Sequence, residues 1–316
     1  MLDGRVPTDA EALEILRSDD GGLLGLLHAA FRIRRAYFGV RVKLNMLVNA
    51  KSGLCPEDCG YCSQSRVSSA PIAKYRMLSA EVLVAGAHEA WARRAATYCI
   101  VASGRGPSAR DLDEVTSAVR QIKSELPMKV CACLGLLTDD DAARLKEAGV
   151  DRYNHNLNTS SGHHANIVST HTYEDRVRTL GAVKAAGISP CSGFIAGMGE
   201  SDEQIVDVAR ALAALDVDSI PVNFLTPIPG TPLENLDHLD PRRCLRILSL
   251  LRFMCPSKEI RVAGGREVHL RSLQPLAMYP ANAIFIGDYL TTTGQAAEED
   301  YRMIEDLGFE IERCAL

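Results

Sequence analysis

From Val42 onward the chain repeats one hydropathy pattern: a short β-prone apolar run, a polar or glycine-bearing loop, then apolar residues at helical spacing behind a capping side chain. The β-prone runs are Val42–Val48, Ala96–Ser103, Lys129–Gly135, Asp151–Leu157, Ser189–Ala196, Ser219–Leu225, Glu259–Gly264 and Ala283–Leu290. Between them, helices are expected to start at Ser79, Ser108, Thr138, Thr172, Ser201 and Asp240, each able to accept from the first free N–H groups of a helix. Pro241 suits a first helical position, and Gly149 and Gly187 suit C-terminal stops. Strands that alternate with helices imply parallel pairing. Eight such units favour a closed (β/α)8 barrel of the TIM type over an open doubly wound sheet.

Two shorter helices precede the repeat. Thr8 with Glu11 forms a capping box, and residues from about Leu23 to Tyr37 place Leu23, Leu27, Ala30 and Phe31 on one face. Residues 1–40 are therefore expected to be a helical lid, residues 41–295 the barrel, and residues 296–316 a C-terminal helix and tail of the same domain. No glycine-rich linker or low-complexity stretch interrupts the series.

Composition narrows the class. Hydrophobic residues make up 47% and charged residues 24%, ordinary for a soluble enzyme with a large core. A net charge of −5 with no basic block gives no sign of nucleic acid or of a membrane surface. No apolar run approaches the roughly 18 residues a membrane span needs. Asp3, Asp9 and Glu11 do not fit a signal peptide. Ten cysteines in such a chain point to a reducing cytoplasm and to metal or catalytic use, not to a disulfide framework.

Cys55, Cys59 and Cys62 stand at CxxxCxxC spacing, followed by no further cysteine until Cys99. Three clustered thiolates suit zinc or an iron–sulfur cluster. A four-cysteine zinc site would have to borrow a distant ligand, whereas a cubane with three cysteines leaves one iron open and reactive. The triplet follows the first strand, at the end of the barrel where active sites lie. Cys99, Cys131, Cys191 and Arg261 lie in strands two, three, five and seven, and one inward residue from each could converge on a second cluster. Singly, each cysteine reads as a small buried hydrophobe, which is also the reading of Cys133, Cys244, Cys255 and Cys314. Arg261 alone would pair with a carboxylate such as Glu267 or Asp288.

The fourth strand carries Asn154, His155, Asn156 and Asn158 where apolar residues are expected, and buried amides need partners. Asn156 and Asn223 could serve a urea or amide group; turn chemistry is the plainer alternative. For His155 a satisfied core histidine is the expectation. Residues 193–200 form a glycine-rich strand end that lets a ligand approach the backbone, although such turns are common. Arg105, in the Ser103–Gly106 turn, could meet a carboxylate or simply belong to a turn.

Together CPEDCGYCSQS (55–65), YNHNLNTS (153–160), CSGFIAGMGE (191–200), IRVAGGRE (260–267) and DYLTTTGQ (288–295) resemble the biotin synthase family over roughly residues 40–310. CxxxCxxC is common to the radical S-adenosylmethionine superfamily; the other segments are specific to this family. The resemblance implies that Cys55, Cys59 and Cys62 hold a [4Fe-4S] cluster whose open iron chelates S-adenosylmethionine. Cys99, Cys131, Cys191 and Arg261 match the ligands of an inner [2Fe-2S] cluster. Tyr61, Asn158, Arg176, Gly193 and Ile195 match contacts to S-adenosylmethionine. Asn156 and Asn223 match the dethiobiotin ureido site, and Thr291 and Thr292 its carboxylate-tail site. Many relatives carry Asp at the position of Asn158, where a carboxylate would take the ribose hydroxyls; an amide can still accept one hydrogen bond, so cofactor binding is expected to survive here.

The implied activity is radical insertion of sulfur into dethiobiotin to give biotin. A 5′-deoxyadenosyl radical would abstract hydrogen, and sulfide from the inner cluster would be captured. A flavodoxin- or ferredoxin-type reductant and a homodimer are the implied partners. A maturase or aminomutase-like relative would keep the triplet but lack the inner set. An iron–sulfur carrier or metal-binding regulator would bind metal without consuming S-adenosylmethionine.

Overall fold

The computed structural model describes residues 4–312. Eight parallel staves close a barrel: β1 (Arg41–Lys51), β2 (Thr97–Ala102), β3 (Lys129–Cys133), β4 (Arg152–Asn154), the collinear pair β5 (Ser189–Cys191) and β6 (Phe194–Ala196), β7 (Ser219–Phe224), β8 (Glu259–Val262) and β9 (Ala283–Phe285). Neighbours in the chain are neighbours in the sheet, and β1 pairs with β9 to complete the ring. A two-residue strand, β10 (Glu310–Ile311), adds in parallel at the start of β1.

The helices are α1 (Asp9–Arg17), α2 (Leu23–Phe38), α3 (Ala80–Ala92), α4 (Ala109–Glu125), α5 (Asp139–Ala148), α6 (Ser161–Ile167), α7 (Tyr173–Ala185), α8 (Asp202–Ala214), α9 (Pro241–Met254), α10 (Arg266–Leu270) and α11 (Ala297–Asp306). The expected caps are formed. Ser108, Thr138, Thr172 and Ser201 each close a capping box, and Asp240 accepts from Arg242 and Arg243 N–H. Ser79 sits at its N-cap position without a side-chain bond; the Glu114 carboxylate accepts from Ala80 N–H instead, at 2.9 Å.

Several strands end sooner than their hydropathy suggests, each for a local reason. The fourth leaves the ladder after Asn154: His155 N–H still donates to the Cys191 carbonyl of β5, but Leu157 N–H turns to the Ser192 hydroxyl. The fifth breaks at Ser192–Gly193 opposite Pro221 of β7, which has no N–H to offer the ladder. Gly135 (φ 91°), Gly265 (φ 82°) and Gly287 (φ 72°) turn the chain away beyond β3, β8 and β9. The short helices α6 and α10 and the strand β10 carry too little periodicity to be expected from sequence.

Instead of crossing the barrel mouth as a lid, α1 and α2 lie along its outer flank. Arg17 pairs with Asp202 and Glu203 at the start of α8, and Arg210 of α8 pairs with Asp9. The buried Arg34 of α2 donates to the carbonyls of Gly39, Arg41 and Ala281, at the entering ends of β1 and β9. Cys244 and Cys255 belong to the apolar core as expected, while Cys314 lies outside the described residues.

Candidate active site

A cavity of about 400 Å³ opens at the C-terminal ends of the staves, where barrel enzymes place their chemistry. Cys55, Cys59 and Cys62 line its outer part, and Cys99, Cys131 and Arg261 its inner end. None of its lining residues comes from residues 4–40.

The outer cysteine loop is pinned by the acidic pair inside it. Glu57 accepts from the Thr170 hydroxyl (2.5 Å), from Arg105 (3.2 Å) and from His171 Nδ1. Asp58 accepts from Ser169 and Thr170 N–H at 3.0 and 3.2 Å. Burial alone would raise the Glu57 carboxyl; its bonds to Thr170 and His171 hold it below its usual range. Arg105 thus does meet a carboxylate. Burial, followed by the charge of Arg176, lowers His171, so its neutral ring donates from Nδ1 to Glu57 and accepts at Nε2 from Arg176, 2.6 Å away.

Arg176 carries this chain of contacts to the next group. Its Nη1 donates to the Asn156 carbonyl at 2.8 Å. The Asn158 amide satisfies its neighbours with its oxygen turned inward, where it accepts from the Tyr61 hydroxyl (2.5 Å) and from both terminal nitrogens of Arg176 (3.1 and 3.2 Å). Asn158 holds a left-handed backbone, φ 68°, which asparagine tolerates. It exchanges backbone bonds with β6: Asn158 N–H donates to the Gly193 carbonyl, and Ile195 N–H to the Asn158 carbonyl. Tyr61, Asn158, Arg176, Gly193 and Ile195, scattered along the sequence, therefore form one contiguous patch.

At the inner end, the thiol of Cys131 lies beside those of Cys99 and Cys191, and all three are buried. Cys191 also accepts from the Asn154 amide at 3.3 Å. Arg261 is 1% exposed. Its carboxylate partner is Glu259, 2.5 Å from Nε, and neither Glu267 nor Asp288. Two residues apart on one strand face the same way; Glu267 instead accepts from Tyr289 and pairs with Arg266, and Asp288 accepts from Gly294 N–H. Arg261 Nη2 is buried with no hydrogen-bond partner, and a buried donor of this kind calls for a partner. Three thiols and a guanidinium with one open nitrogen fit the inner ligand set implied by resemblance. Among the described residues, no three His, Cys, Asp or Glu side chains are placed to hold a lone metal ion.

Asn156 and Asn223 both line the cavity, each with its oxygen fixed by a backbone N–H, that of Gly193 (3.0 Å) and Gly264 (3.1 Å) respectively. Thr291 and Thr292 line it as well, and Thr291 shares a 2.8 Å hydroxyl contact with Ser63 of the cysteine loop. Two expectations are corrected. Cys133 is no core hydrophobe: two residues beyond Cys131 on β3, it shares that side of the strand and lines the cavity. His155 is buried but unsatisfied, since its Nε2 has no partner and the ring lines the cavity. Sequence reasoning missed Glu57 and His171, which meet only through folding. It also missed Lys43, Arg152 and Glu259, whose signal was available: charged residues at inward positions of three strands.

Burial pushes the Cys59 thiol up to about 12 against the pull of Arg176, and Cys62 up to about 11; ordinary thiols titrate near 9. A raised folded-state value contributes stability that is full below about pH 9 and lost as pH rises towards 11. A metal held by these sulfurs would keep them as thiolates throughout. The gap in melting temperature between loaded and metal-free protein is therefore expected to widen above pH 9. Calorimetry across that range checks it, and parallel curves contradict it.

Residues 51–212 match the model of the Radical SAM superfamily, and residues 221–310 that of the Biotin and Thiamin Synthesis associated domain. The chain is 63% identical to a biotin synthase of Geobacillus kaustophilus over 99% of this chain and 94% of that protein. A biotin synthase of Bacillus pumilus is 61% identical over 97% and 92%. Among solved structures, methylornithine synthase superposes with a TM-score of 0.84 at 22% identity, covering 99% of this chain and 96% of that one. The FeFe-hydrogenase maturase HydG of Carboxydothermus hydrogenoformans gives 0.85 at 19%, covering 99% and 78%. At such identities the last two show a shared fold only.

Proposed function

The chain belongs to the biotin synthase family of radical S-adenosylmethionine enzymes, and on that premise we propose how its own residues serve sulfur insertion into dethiobiotin. Cys55, Cys59 and Cys62 hold a [4Fe-4S] cluster, and Cys99, Cys131, Cys191 and Arg261 hold a [2Fe-2S] cluster. When bound, these clusters with S-adenosylmethionine supply a hydrogen-abstracting 5′-deoxyadenosyl radical and the sulfur that closes the ring. The single observation that carries the reading is Arg261, a buried guanidinium among three buried thiols with one nitrogen unpartnered.

The remaining residues bind, orient and exclude water. Arg176, Asn158 and Tyr61 bind S-adenosylmethionine, held in place through His171 and Glu57, while Gly193 and Ile195 offer it their backbone. Asn156 and Asn223 orient the ureido ring between the two cysteine sets, and Thr291 and Thr292 receive the carboxylate tail. The apolar wall of Leu47, Val101, Ala263 and Phe285 keeps solvent from the reacting carbons. No side chain is asked to act as acid or base; positioning does the work. A flavodoxin- or ferredoxin-type reductant, a homodimer and a cytoplasmic setting complete the proposal on the family's pattern. Among the described residues, no helix is long and apolar enough to cross a membrane.

Anaerobic turnover of reconstituted protein with reductant, S-adenosylmethionine and dethiobiotin tests the reading, with biotin and 5′-deoxyadenosine followed together. Both products are expected; 5′-deoxyadenosine without biotin would contradict the inner assignments. A second expectation concerns Asn158. Its oxygen already accepts from Arg176 and Tyr61, so Asn158→Asp turns these into charge-assisted bonds and adds a carboxylate for ribose hydroxyls. S-adenosylmethionine should bind about five-fold tighter, the equivalent of ~1 kcal/mol. Titration calorimetry measures this, and weaker binding would remove Asn158 from the site.

A further inference from the structure

We propose that Glu259 is a positioning residue for the inner cluster, acting through Arg261, and that Lys43 and Arg152 form with it a cationic floor beneath the three thiols. The inference rests on the reading of Arg261 as a ligand. Glu259 is 4% exposed and gathers donors from four staves. Its Oε1 accepts from Arg261 Nε (2.5 Å), Arg152 Nη1 (2.7 Å) and the Ser219 hydroxyl (3.3 Å), and its Oε2 from Lys43 Nζ (2.7 Å). A carboxylate has about four acceptor positions, and four donors meet this one, three on Oε1 and one on Oε2.

The hub is tied to the ligands by strand register. Arg152 is the cross-strand partner of Cys131, and Ser219 that of both Cys191 and Glu259. With Nε engaged below, the guanidinium plane of Arg261 is fixed, and the nitrogen left without a partner is Nη2. Without Glu259 the long arginine side chain would regain rotamers that do not meet the sulfurs.

Charge points the same way. Lys43, Arg152 and Arg261 surround one carboxylate. Glu312 reaches Lys43 at 3.2 Å from a more exposed position, and the exposed Lys129 feels Lys43 and Arg152 together with the opposite charges of Glu259 and Asp151. A buried surplus of cations is costly unless an anion completes it, and three thiolates around a [2Fe-2S] core are such an anion. None of these residues lines the cavity except Arg261, so the hub supports the site from beneath.

The test is a double-mutant cycle on reconstituted holoprotein, with Glu259→Gln, Arg261→Met and the pair. The readouts are the absorption bands and reduction potential of the inner cluster and the rate at which it loses iron. Metal-free protein is checked for folding by circular dichroism. Glu259→Gln is expected to shift the bands and to speed iron loss by about ten-fold or more, the scale of a second-layer metal partner. In the Arg261→Met background the same change should alter iron loss by less than about two-fold, since the effect runs through the arginine. Additive effects, or an unaltered inner cluster in a folded Glu259→Gln protein, would overturn the proposal. If Arg261→Met itself leaves the bands unaltered, the ligand reading fails and the inference falls with it, a result distinct from additivity. Should Glu259→Gln not fold, Glu259→Asp takes its place: it keeps the charge but withdraws the carboxylate from Arg261, and unaltered bands there would likewise overturn the proposal.

Discussion

Cys191→Ala is expected to stop biotin formation while 5′-deoxyadenosine release continues. Cys191 is fully buried on β5, touches Cys131, and pairs across strands with Asn154 and Ser219. Removing one sulfur from a packed stave costs on the order of 1 kcal/mol of stability, too little to unfold a barrel of this size. It nevertheless deletes a proposed ligand outright. Loss of an outer partner of a metal site already costs up to ~100-fold, and loss of the ligand itself should exceed that. The outer triplet lies on a different loop, anchored through Glu57 and Asp58 to residues 169–171, and should be untouched. Undiminished biotin formation would remove Cys191 from the inner set.

Gly193→Ala should damage both stability and cofactor binding. A Cβ there would stand 1.8 Å from the Pro221 carbonyl oxygen and 2.8 Å from its carbon. Pro221 cannot readily yield, because it lies in β7 opposite Arg261 of β8. Overpacking a core by one methyl costs roughly 1–3 kcal/mol and occasionally more; here the obstacle is backbone, so about 3 kcal/mol or above is expected. The backbone of Gly193 also donates to the Asn156 side chain and accepts from Asn158. Displacing it disturbs the proposed substrate and cofactor contacts together. Thermal melts and S-adenosylmethionine titration check this, and an unshifted melting temperature with unaltered affinity would contradict it.

The barrel was legible because its signals are local. Apolar runs of strand length alternate with capped helices, and Ser108, Thr138, Thr172, Ser201 and Asp240 act as caps in the structure as their sequence neighbours suggest. Strand ends were less legible, since they depend on which backbone groups find partners. The fourth strand reads as seven residues but pairs for three, because Asn154 and Asn156 spend their amides on Cys191, Gly193 and one another. The inner set was visible as three cysteines and an arginine in separate strands, and the fold brings them together.

What escaped the sequence was the support beneath and beside the site. Lys43, Arg152 and Glu259 look like ordinary strand charges until closure of the ring places them on one level. Glu57 and His171 are 114 positions apart and share no pattern. The flank position of α1 and α2 was also not legible: their amphipathic faces require a partner but do not say that it is α8 and α9.

The central claim is that sulfur in the product comes from a cluster held by Cys99, Cys131, Cys191 and Arg261. The most direct measurement is a single turnover with protein whose clusters are reconstituted from isotopically heavy sulfide, free sulfide being removed beforehand, followed by the mass of the biotin formed. Heavy sulfur in the biotin, lost in parallel with depletion of the inner cluster, is the predicted result. Biotin carrying only light sulfur, formed from protein whose inner cluster remains intact, would contradict it.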